Sequence, residues 1–122
     1  MLKRVLLIED EPNIIEALRF VLGREGLAVD TQSDGAGAMD ALERRRPDVI
    51  VLDVMLPNRS GFEILRDIRA NEDHAQIPVL MLTARGQEKD RQLAESLGAT
   101  AFMTKPFSNT EVLKTIQGLL PS

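Results

Sequence analysis

The stretch DVIVLDVMLPNRSG, residues 48–61, places four apolar residues directly before a single carboxylate, Asp53, and a loop. An unbroken apolar run of this length is typical of a strand that is buried on both faces. A carboxylate at the end of such a strand loses part of its hydration, which costs free energy unless a cation or hydrogen-bond donors compensate. Other segments of the chain are therefore expected to supply partners for Asp53.

Strand-like and helical segments alternate along the whole chain. Strands are predicted at residues 3–10, 27–31, 48–53, 77–84 and 100–104. Helices are predicted at residues 11–26, 35–46, 62–71, 86–98 and 108–120. Because this alternation requires right-handed βαβ crossovers, we predict a three-layer, doubly wound α/β fold with a five-stranded parallel sheet and five helices.

Several residues mark the ends of the predicted helices. Pro12 suits the first turn of the first helix, and Gly26 suits its end. Asp34 is a candidate cap for the second helix. Ser108 and Glu111 have the spacing of a capping box, which predicts the start of the fifth helix.

Length and composition limit the class of protein. The chain of 122 residues fits one domain, and 43% hydrophobic with 28% charged residues is a globular composition. No apolar run approaches the ~20 residues that span a bilayer, and the N-terminus lacks signal-peptide features, so we expect a cytoplasmic protein without membrane contact. A formal net charge of −4 argues against direct nucleic acid binding. Without cysteine, thiol catalysis and Cys-based zinc sites are excluded.

Polar residues stand where four of the five predicted strands end. They are Glu9 and Asp10, Asp53, Thr83, and Lys105. Ligands of such sheets bind at the carboxyl ends of the strands, so these side chains are expected to converge. Three neighbouring carboxylates repel one another unless a cation lies among them. Their hard oxygen ligands indicate Mg²⁺.

This set of groups suits phosphoryl transfer to a carboxylate. Asp53 is the candidate nucleophile, which would form an aspartyl phosphate. Thr83 and Lys105 would contact the phosphoryl group and stabilise its charge. The predicted metal ligands are Glu9, Asp10, Asp53 and the backbone carbonyl of Met55.

Four segments together resemble the receiver domain of bacterial two-component response regulators, a chemotaxis-regulator-like, flavodoxin-like family. They are LLIEDEP (6–12), VIVLDVMLPNRSGFEIL (49–65), VLMLTA (79–84) and TKPF (104–107), and the resemblance covers essentially the whole chain. It implies the strand order 2-1-3-4-5 and a cis peptide between Lys105 and Pro106. It also implies that Asp53 takes a phosphoryl group from a sensor histidine kinase or phosphotransfer protein, with Glu9 and Asp10 binding Mg²⁺.

The same resemblance implies how phosphorylation would change the surface that a partner contacts. Thr83 and Phe102 would form a switch pair that alters the surface of the fourth helix, fifth strand and fifth helix. A downstream protein partner or a fused output domain would respond to that surface. Relatives with winged-helix DNA-binding domains usually carry two acids just before Phe102, and residues 98–102 read GATAF here. Their salt-bridged dimer face is therefore not predicted for this chain.

Two other functions fit the predicted fold less well. A flavodoxin-like electron carrier needs a hydroxyl-rich phosphate loop after the first strand, where this chain has EDEPN (9–13). An aspartyl-phosphate metal-dependent phosphatase usually has a second Asp two residues after the nucleophile, where this chain has Met55. We therefore expect a phosphoacceptor that hydrolyses its own phosphoryl group slowly and is not an enzyme.

Three remaining features have structural interpretations. His74 lies in the polar segment NEDHAQ (71–76) and is predicted to be a surface residue. Arg44 to Arg46 are predicted to lie at the C-terminal end of the second helix, where positive charge is favourable. Gly61 is predicted to serve backbone geometry only.

Overall fold

The structure, a computed structural model, describes residues 2–84 and 88–121, which form one parallel sheet flanked by helices. The strand order is 2-1-3-4-5, and all four strand pairs are parallel. The strands are β1 (Arg4–Ile8), β2 (Ala28–Gln32), β3 (Val49–Asp53), β4 (Val79–Thr83) and β5 (Ala101–Thr104). The helices are α1 (Pro12–Arg24), α2 (Ala38–Arg45), α3 (Gly61–Ala70), α4 (Glu88–Ser96) and α5 (Asn109–Leu119). The predicted fold class and strand order are confirmed.

Apolar side chains fill both faces of the sheet. Leu18 and Leu22 of α1 pack with Val112 and Ile116 of α5 against one face. Buried residues of α2, α3 and α4 pack against the other face, where Ile50 and Leu52 of the central strand point. Every residue of β3 and β4 is buried. Burial of each large aliphatic side chain contributes roughly 1.5–3 kcal/mol, so the two apolar layers hold the strand ends in register.

The predicted elements are all present, with shorter boundaries where polar residues begin. The first strand was predicted over residues 3–10, with Glu9 and Asp10 at its end; β1 ends at Ile8, so both acids follow the strand. Asp34 caps a single 3₁₀ turn, Gly35–Gly37, and α2 begins only at Ala38. Residues 86 and 87 of the predicted fourth helix lie outside the described part of the chain. Among the helices of residues 2–84 and 88–121, none combines the length and the apolar composition that a membrane span requires.

Helix ends follow the predicted capping residues. Pro12 is in the first turn of α1. Gly26, with φ at 85°, ends that helix, and its N–H donates to the Gly23 carbonyl at 3.0 Å. Ser108 Oγ accepts a hydrogen bond from Glu111 N–H at 3.0 Å and lies 3.2 Å from the Glu111 carboxylate. Arg44 and Arg45 lie in the last turn of α2, as predicted.

The prediction that His74 lies on the surface is wrong. Its side chain is only 2% exposed, and its Nε2 lies 2.9 Å from Glu43 Oε1 on α2. The imidazole therefore joins α2 to the turn between α3 and β4. Because Glu43 is 31 residues away, the polarity of the local segment gave no sign of this contact.

Candidate functional site

The carboxylates of Glu9, Asp10 and Asp53 converge at the carboxyl edge of the sheet. Strands β1 and β3 are neighbours, so the residue following β1 and the last residue of β3 lie side by side. Each of the three residues offers a carboxylate oxygen, and these oxygens all lie within 4.8 Å of one another. Glu9 and Asp53 are 0% and 2% exposed, whereas Asp10 is exposed. The cluster thus has a buried floor and one solvent-facing acid.

The Lys105 ammonium lies against this cluster. Its Nζ is 3.3 Å from Glu9 Oε2, 3.4 Å from Asp53 Oδ2 and 2.8 Å from Glu11 Oε1. Desolvation lowers the pKa of Lys105, but the hydrogen bond to Glu11 and the charges of Glu9 and Asp53 outweigh it and raise the pKa above its ordinary value. Lys105 therefore stays protonated and ready to donate to an anion.

Glu9 lies in an environment that opposes its ionisation. Burial, followed by repulsion from Asp53, raises its pKa from 4.5 to about 7, although the Glu11 N–H and Lys105 act in the other direction. Its Oε1 accepts hydrogen bonds from the N–H groups of Asp10 and Glu11, each at 3.2 Å. Its Oε2 is buried and has no hydrogen-bond partner among the described residues, although the Lys105 ammonium is nearby. This oxygen retains capacity for a further ligand.

Asp53 resembles Glu9 in its electrostatic environment. Desolvation raises the pKa of its carboxyl group, and the charge of Lys105 partly opposes this rise. Its Oδ1 accepts a hydrogen bond from the Met55 N–H at 3.3 Å. When Glu9, Asp53 and Lys105 are all ionised, two buried negative charges face one positive charge. Part of the negative charge is then uncompensated.

The residues fit a hard divalent cation. Such cations prefer carboxylate and carbonyl oxygens, and Glu9 Oε2 is a buried oxygen without a hydrogen bond. Met55 lies at the rim of the cluster, where its side chain is 58% exposed. It lines, together with Asp10, a groove of about 520 Å³. The arrangement can therefore hold Mg²⁺ beside Asp53 and leave room for water or a phosphoryl group.

Thr83 and Phe102 lie on adjacent strands. Thr83 is the buried last residue of β4, and its carbonyl accepts a hydrogen bond from the Lys105 N–H at 2.7 Å. Phe102 lies on β5 opposite Met81, in the core layer formed by α2, α3 and α4. The peptide bond between Lys105 and Pro106 is cis, as the resemblance implied. β4 therefore positions the backbone of the loop that carries Lys105.

Two residues around the site were missed by the sequence analysis. Among the described carboxylates, that of Glu11 lies nearest the Lys105 ammonium, at 2.8 Å, and the run of three acids at residues 9–11 could have suggested this contact. Arg91 on α4 places its guanidinium 5.0 Å from the centre of the Phe102 ring, a cation–π contact. No sequence pattern identifies that second pair, because it depends on how α4 packs against β5.

Glu9→Gln is expected to change stability in opposite directions with and without Mg²⁺. The pKa of Glu9 is higher in the folded protein than in the unfolded chain. The stability that this shift contributes is therefore fully present below about pH 4.5, and it is lost as the pH rises to about 7. With chelator, the variant should gain up to about 3 kcal/mol in unfolding free energy relative to wild type between pH 5 and 8.

Denaturant unfolding at each pH measures this difference. Added Mg²⁺ should stabilise wild type more than Glu9→Gln and so reverse the order at pH 8. Glu25→Gln is the control, because Glu25 lies at the C-terminal end of α1, outside the acidic cluster. A constant difference between wild type and Glu9→Gln across this pH range would contradict the prediction.

Gly61 brings the start of α3 against the end of β3. A Cβ at this position would lie 2.2 Å from the Asp53 carbonyl oxygen and 2.9 Å from the Val54 Cα. The Gly61 N–H also donates to the Val54 carbonyl at 2.9 Å, which closes the loop over residues 54–60. This close approach agrees with the prediction that Gly61 serves backbone geometry. The backbone that it approaches is that of Asp53 itself.

Gly61→Ala is therefore expected to lower the unfolding free energy by about 3 kcal/mol, because the backbone on both sides must shift. Chemical denaturation measures the loss. Gly118→Ala on α5 is the matched control, since its added Cβ would meet nothing within 4 Å. That control should be neutral or slightly stabilising. Equal stabilities for the two variants would refute the close approach at Gly61.

The chain is similar to known proteins over nearly its whole length. A family profile described as the response regulator receiver domain matches residues 5–117. The chain belongs to this family. It is thus a response regulator receiver domain of a two-component system.

Known relatives of this receiver domain agree with the assignment. It is 42% identical over 120 residues to the alkaline phosphatase synthesis transcriptional regulatory protein PhoP of Bacillus subtilis (strain 168), covering 98% of this chain and 49% of PhoP. It is 41% identical over 116 residues to the probable transcriptional regulatory protein TcrX of Mycobacterium tuberculosis, covering 95% of this chain and 49% of TcrX. The chain therefore spans about half the length of these curated relatives.

Among solved structures, the receiver domain is similar to the chemotaxis response regulator CheY4 of Vibrio cholerae. The TM-score is 0.92 at 32% sequence identity, and the match covers 98% of this chain and 100% of CheY4. Such agreement over the whole sheet and its helices identifies the same fold.

Proposed function

We propose that residues 1–122 act as one phosphoacceptor domain in which Asp53 receives a phosphoryl group from a phosphohistidine on a sensor histidine kinase or phosphotransfer protein. One observation carries this proposal: the buried carboxylate of Asp53 lies beside two further acids and 3.4 Å from the Lys105 ammonium. Neither acids alone nor a lysine alone would suit an incoming phosphoryl group. Together they provide a nucleophile, oxygen ligands for a cation and a donor.

Each group at the site has a defined role in the proposed transfer, and Asp53 serves as both nucleophile and metal ligand. An Asp53 oxygen attacks phosphorus while the bond from phosphorus to the donor imidazole nitrogen breaks and the nitrogen keeps the electron pair. Bound by Glu9, Asp10, Asp53 and the Met55 carbonyl, Mg²⁺ would neutralise charge on the phosphoryl oxygens. Lys105 exchanges part of its contact with the carboxylates for a phosphoryl oxygen, and the Thr83 hydroxyl donates to another.

A surface beside Lys105 supports a protein as the donor. A groove of about 450 Å³ opens next to this residue, between α1 and the segment that follows Lys105. Apolar side chains line much of it, including Ile14, Ala17 and Phe107. No nucleotide-binding glycine loop occurs in the sequence, so the phosphoryl group would be delivered by another molecule.

Thr83 and Phe102 would couple the phosphorylation of Asp53 to a change at the protein surface. When the Thr83 hydroxyl moves toward the phosphoryl group, space opens beside β5 for the Phe102 ring to turn inward. That movement would break the contact between Phe102 and Arg91 and change the surface of α4, β5 and α5. The physical principle is a local charge change that biases a two-state element.

The output is proposed to be protein contact and not catalysis. Met55 occupies the place of a phosphatase's second acid, so the domain would hydrolyse only its own phosphoryl group, and slowly. A downstream partner or fused output domain would read the altered surface; PhoP and TcrX, both named as transcriptional regulatory proteins, are about twice as long as this chain. A net charge of −4 disfavours direct DNA contact. A phosphohistidine donor of this kind implies a cytoplasmic location.

Intact-protein mass spectrometry with acetyl phosphate tests the proposed function. Wild type should gain one phosphoryl group of ~80 Da in the presence of Mg²⁺ and essentially none with excess chelator, because the crowded negative charges are then uncompensated. Restoring Mg²⁺ should restore the adduct. An adduct that forms equally fast with chelator would contradict the metal requirement, and the absence of any adduct on the folded protein would contradict the proposed acceptor role toward small donors.

A further inference from the structure

The loop between β3 and α3 is held by a second loop, between β2 and α2. Asn58 Nδ2 donates to Asp34 Oδ2 at 2.7 Å. The Gly35 N–H donates to the Pro57 carbonyl at 3.1 Å. Two adjacent hydrogen bonds therefore join the middle of the first loop to residues that are more than twenty positions away in the sequence.

Both partners of the side-chain contact have fixed conformations. Asp34 Oδ1 accepts from the Ala36 N–H at 2.7 Å, which leaves Oδ2 directed at Asn58. Asn58 adopts a left-handed backbone conformation with φ at 68°, which asparagine tolerates better than most residues. At Gly35, an added Cβ would lie 2.6 Å from the Arg59 carbonyl oxygen. The two loops are thus packed backbone to backbone around this bond.

The last residue of β2, directly before the β2–α2 loop, contacts the chain segment on the other side of the acidic cluster. The Glu9 N–H donates to the Gln32 carbonyl at 3.1 Å, and Gln32 Nε2 donates to the Asp34 carbonyl at 3.1 Å. One short segment therefore contacts the backbone of Glu9 and the loop that carries Met55. These are the two chain segments that supply metal ligands in the proposed function.

We propose that Asp34 and Asn58 form a clamp that positions the Met55 carbonyl relative to Glu9, Asp10 and Asp53 and thereby sets the affinity for a divalent cation. The ends of the β3–α3 loop are already fixed by bonds from Val54 N–H and Gly61 N–H. The clamp restrains the intervening residues. Asp34 and Asn58 are positioning residues, since they act on the cation through the backbone. The inference rests on the proposed metal site but does not require phosphorylation.

Mg²⁺ affinity of three variants tests the clamp. Asp34→Ser keeps an oxygen that can cap the Ala36 N–H but is too short to reach Asn58. Asn58→Gly keeps the left-handed backbone and removes the amide. Mg²⁺ dissociation constants from isothermal titration should rise about tenfold for each single variant. The double variant should lose no more than either single variant, because both changes remove the same bond.

Asp48→Ser is the matched control. Asp48 Oδ2 accepts from the Arg4 N–H at 2.7 Å at the opposite edge of the sheet, so this change removes the same charge and a similar bond. Its Mg²⁺ affinity should stay within about twofold of wild type. If Asp34→Ser does not fold, Asn58→Gly at an exposed position carries the test.

The outcomes separate the clamp from the proposed function. Wild-type affinity in both single variants, or losses that multiply in the double variant, would overturn the clamp. Absence of Mg²⁺ binding by wild type would overturn both the clamp and the metal-dependent function. Weakened Mg²⁺ binding in the variants would support the clamp even if wild type formed no adduct with acetyl phosphate. That second result would contradict only the acceptor role toward small donors.

Discussion

Asp53→Asn is expected to abolish the phosphoryl adduct that wild type gains from acetyl phosphate and Mg²⁺. The amide has nearly the same shape as the carboxylate but lacks the nucleophilic oxygen, so the acyl phosphate cannot form. Intact-protein mass spectrometry measures the adduct directly. Asp48→Asn, at the opposite edge of the sheet, is the control and should be phosphorylated like wild type.

Loss of the adduct in Asp53→Asn would not reflect unfolding. Burial raises the pKa of Asp53, which means that its charged form is disfavoured in the folded protein. Without Mg²⁺, the neutral amide should therefore give a variant at least as stable as wild type near pH 8, and denaturant unfolding checks this. An adduct that persists in folded Asp53→Asn would place the chemistry on another residue.

Lys105→Met is expected to slow adduct formation by about 10²–10³-fold. The change removes a donor aimed at the developing negative charge, and loss of one such donor commonly has this effect on rate. It also removes the cation that opposes the rise of the Glu9 and Asp53 pKa values. The initial rate of adduct formation at saturating Mg²⁺ measures the loss.

Lys114→Met provides the comparison for Lys105. Lys114 is an exposed residue of α5, so its replacement changes the net charge equally and leaves the acidic cluster intact. This control should retain the wild-type rate within about twofold. A Lys105→Met protein that reacts as fast as Lys114→Met would show that the ammonium has no part in stabilising the phosphoryl group.

The fold was predictable because its signals are local. Apolar runs such as residues 49–52 and helical spacing in residues 11–26 are read within one segment, and their alternation determines the class of sheet. The convergence of Glu9, Asp53 and Lys105 followed from the topology, since parallel strands end at the same edge. Boundaries were less accurate, because Glu9 and Asp10 leave the strand to form the cluster.

Contacts between distant segments were the part that the sequence did not reveal. His74 is buried, and its Nε2 lies 2.9 Å from Glu43 Oε1, a pairing set by how α2 packs against the turn between α3 and β4. The ring of Phe102 meets Arg91 for the same reason. The bond between Asp34 and Asn58 joins two loops whose separate patterns predict only turns. Each of these depends on the assembled tertiary structure.

Asp53 is proposed to be the residue that carries the phosphoryl group. The most direct test is to treat phosphorylated protein with borohydride, which reduces an aspartyl phosphate to homoserine, and to locate the modified residue by peptide mass spectrometry. This assignment predicts homoserine at position 53 and unmodified acids at Glu9 and Asp10. A modification at either of those acids, or an adduct that maps outside the cluster, would contradict it.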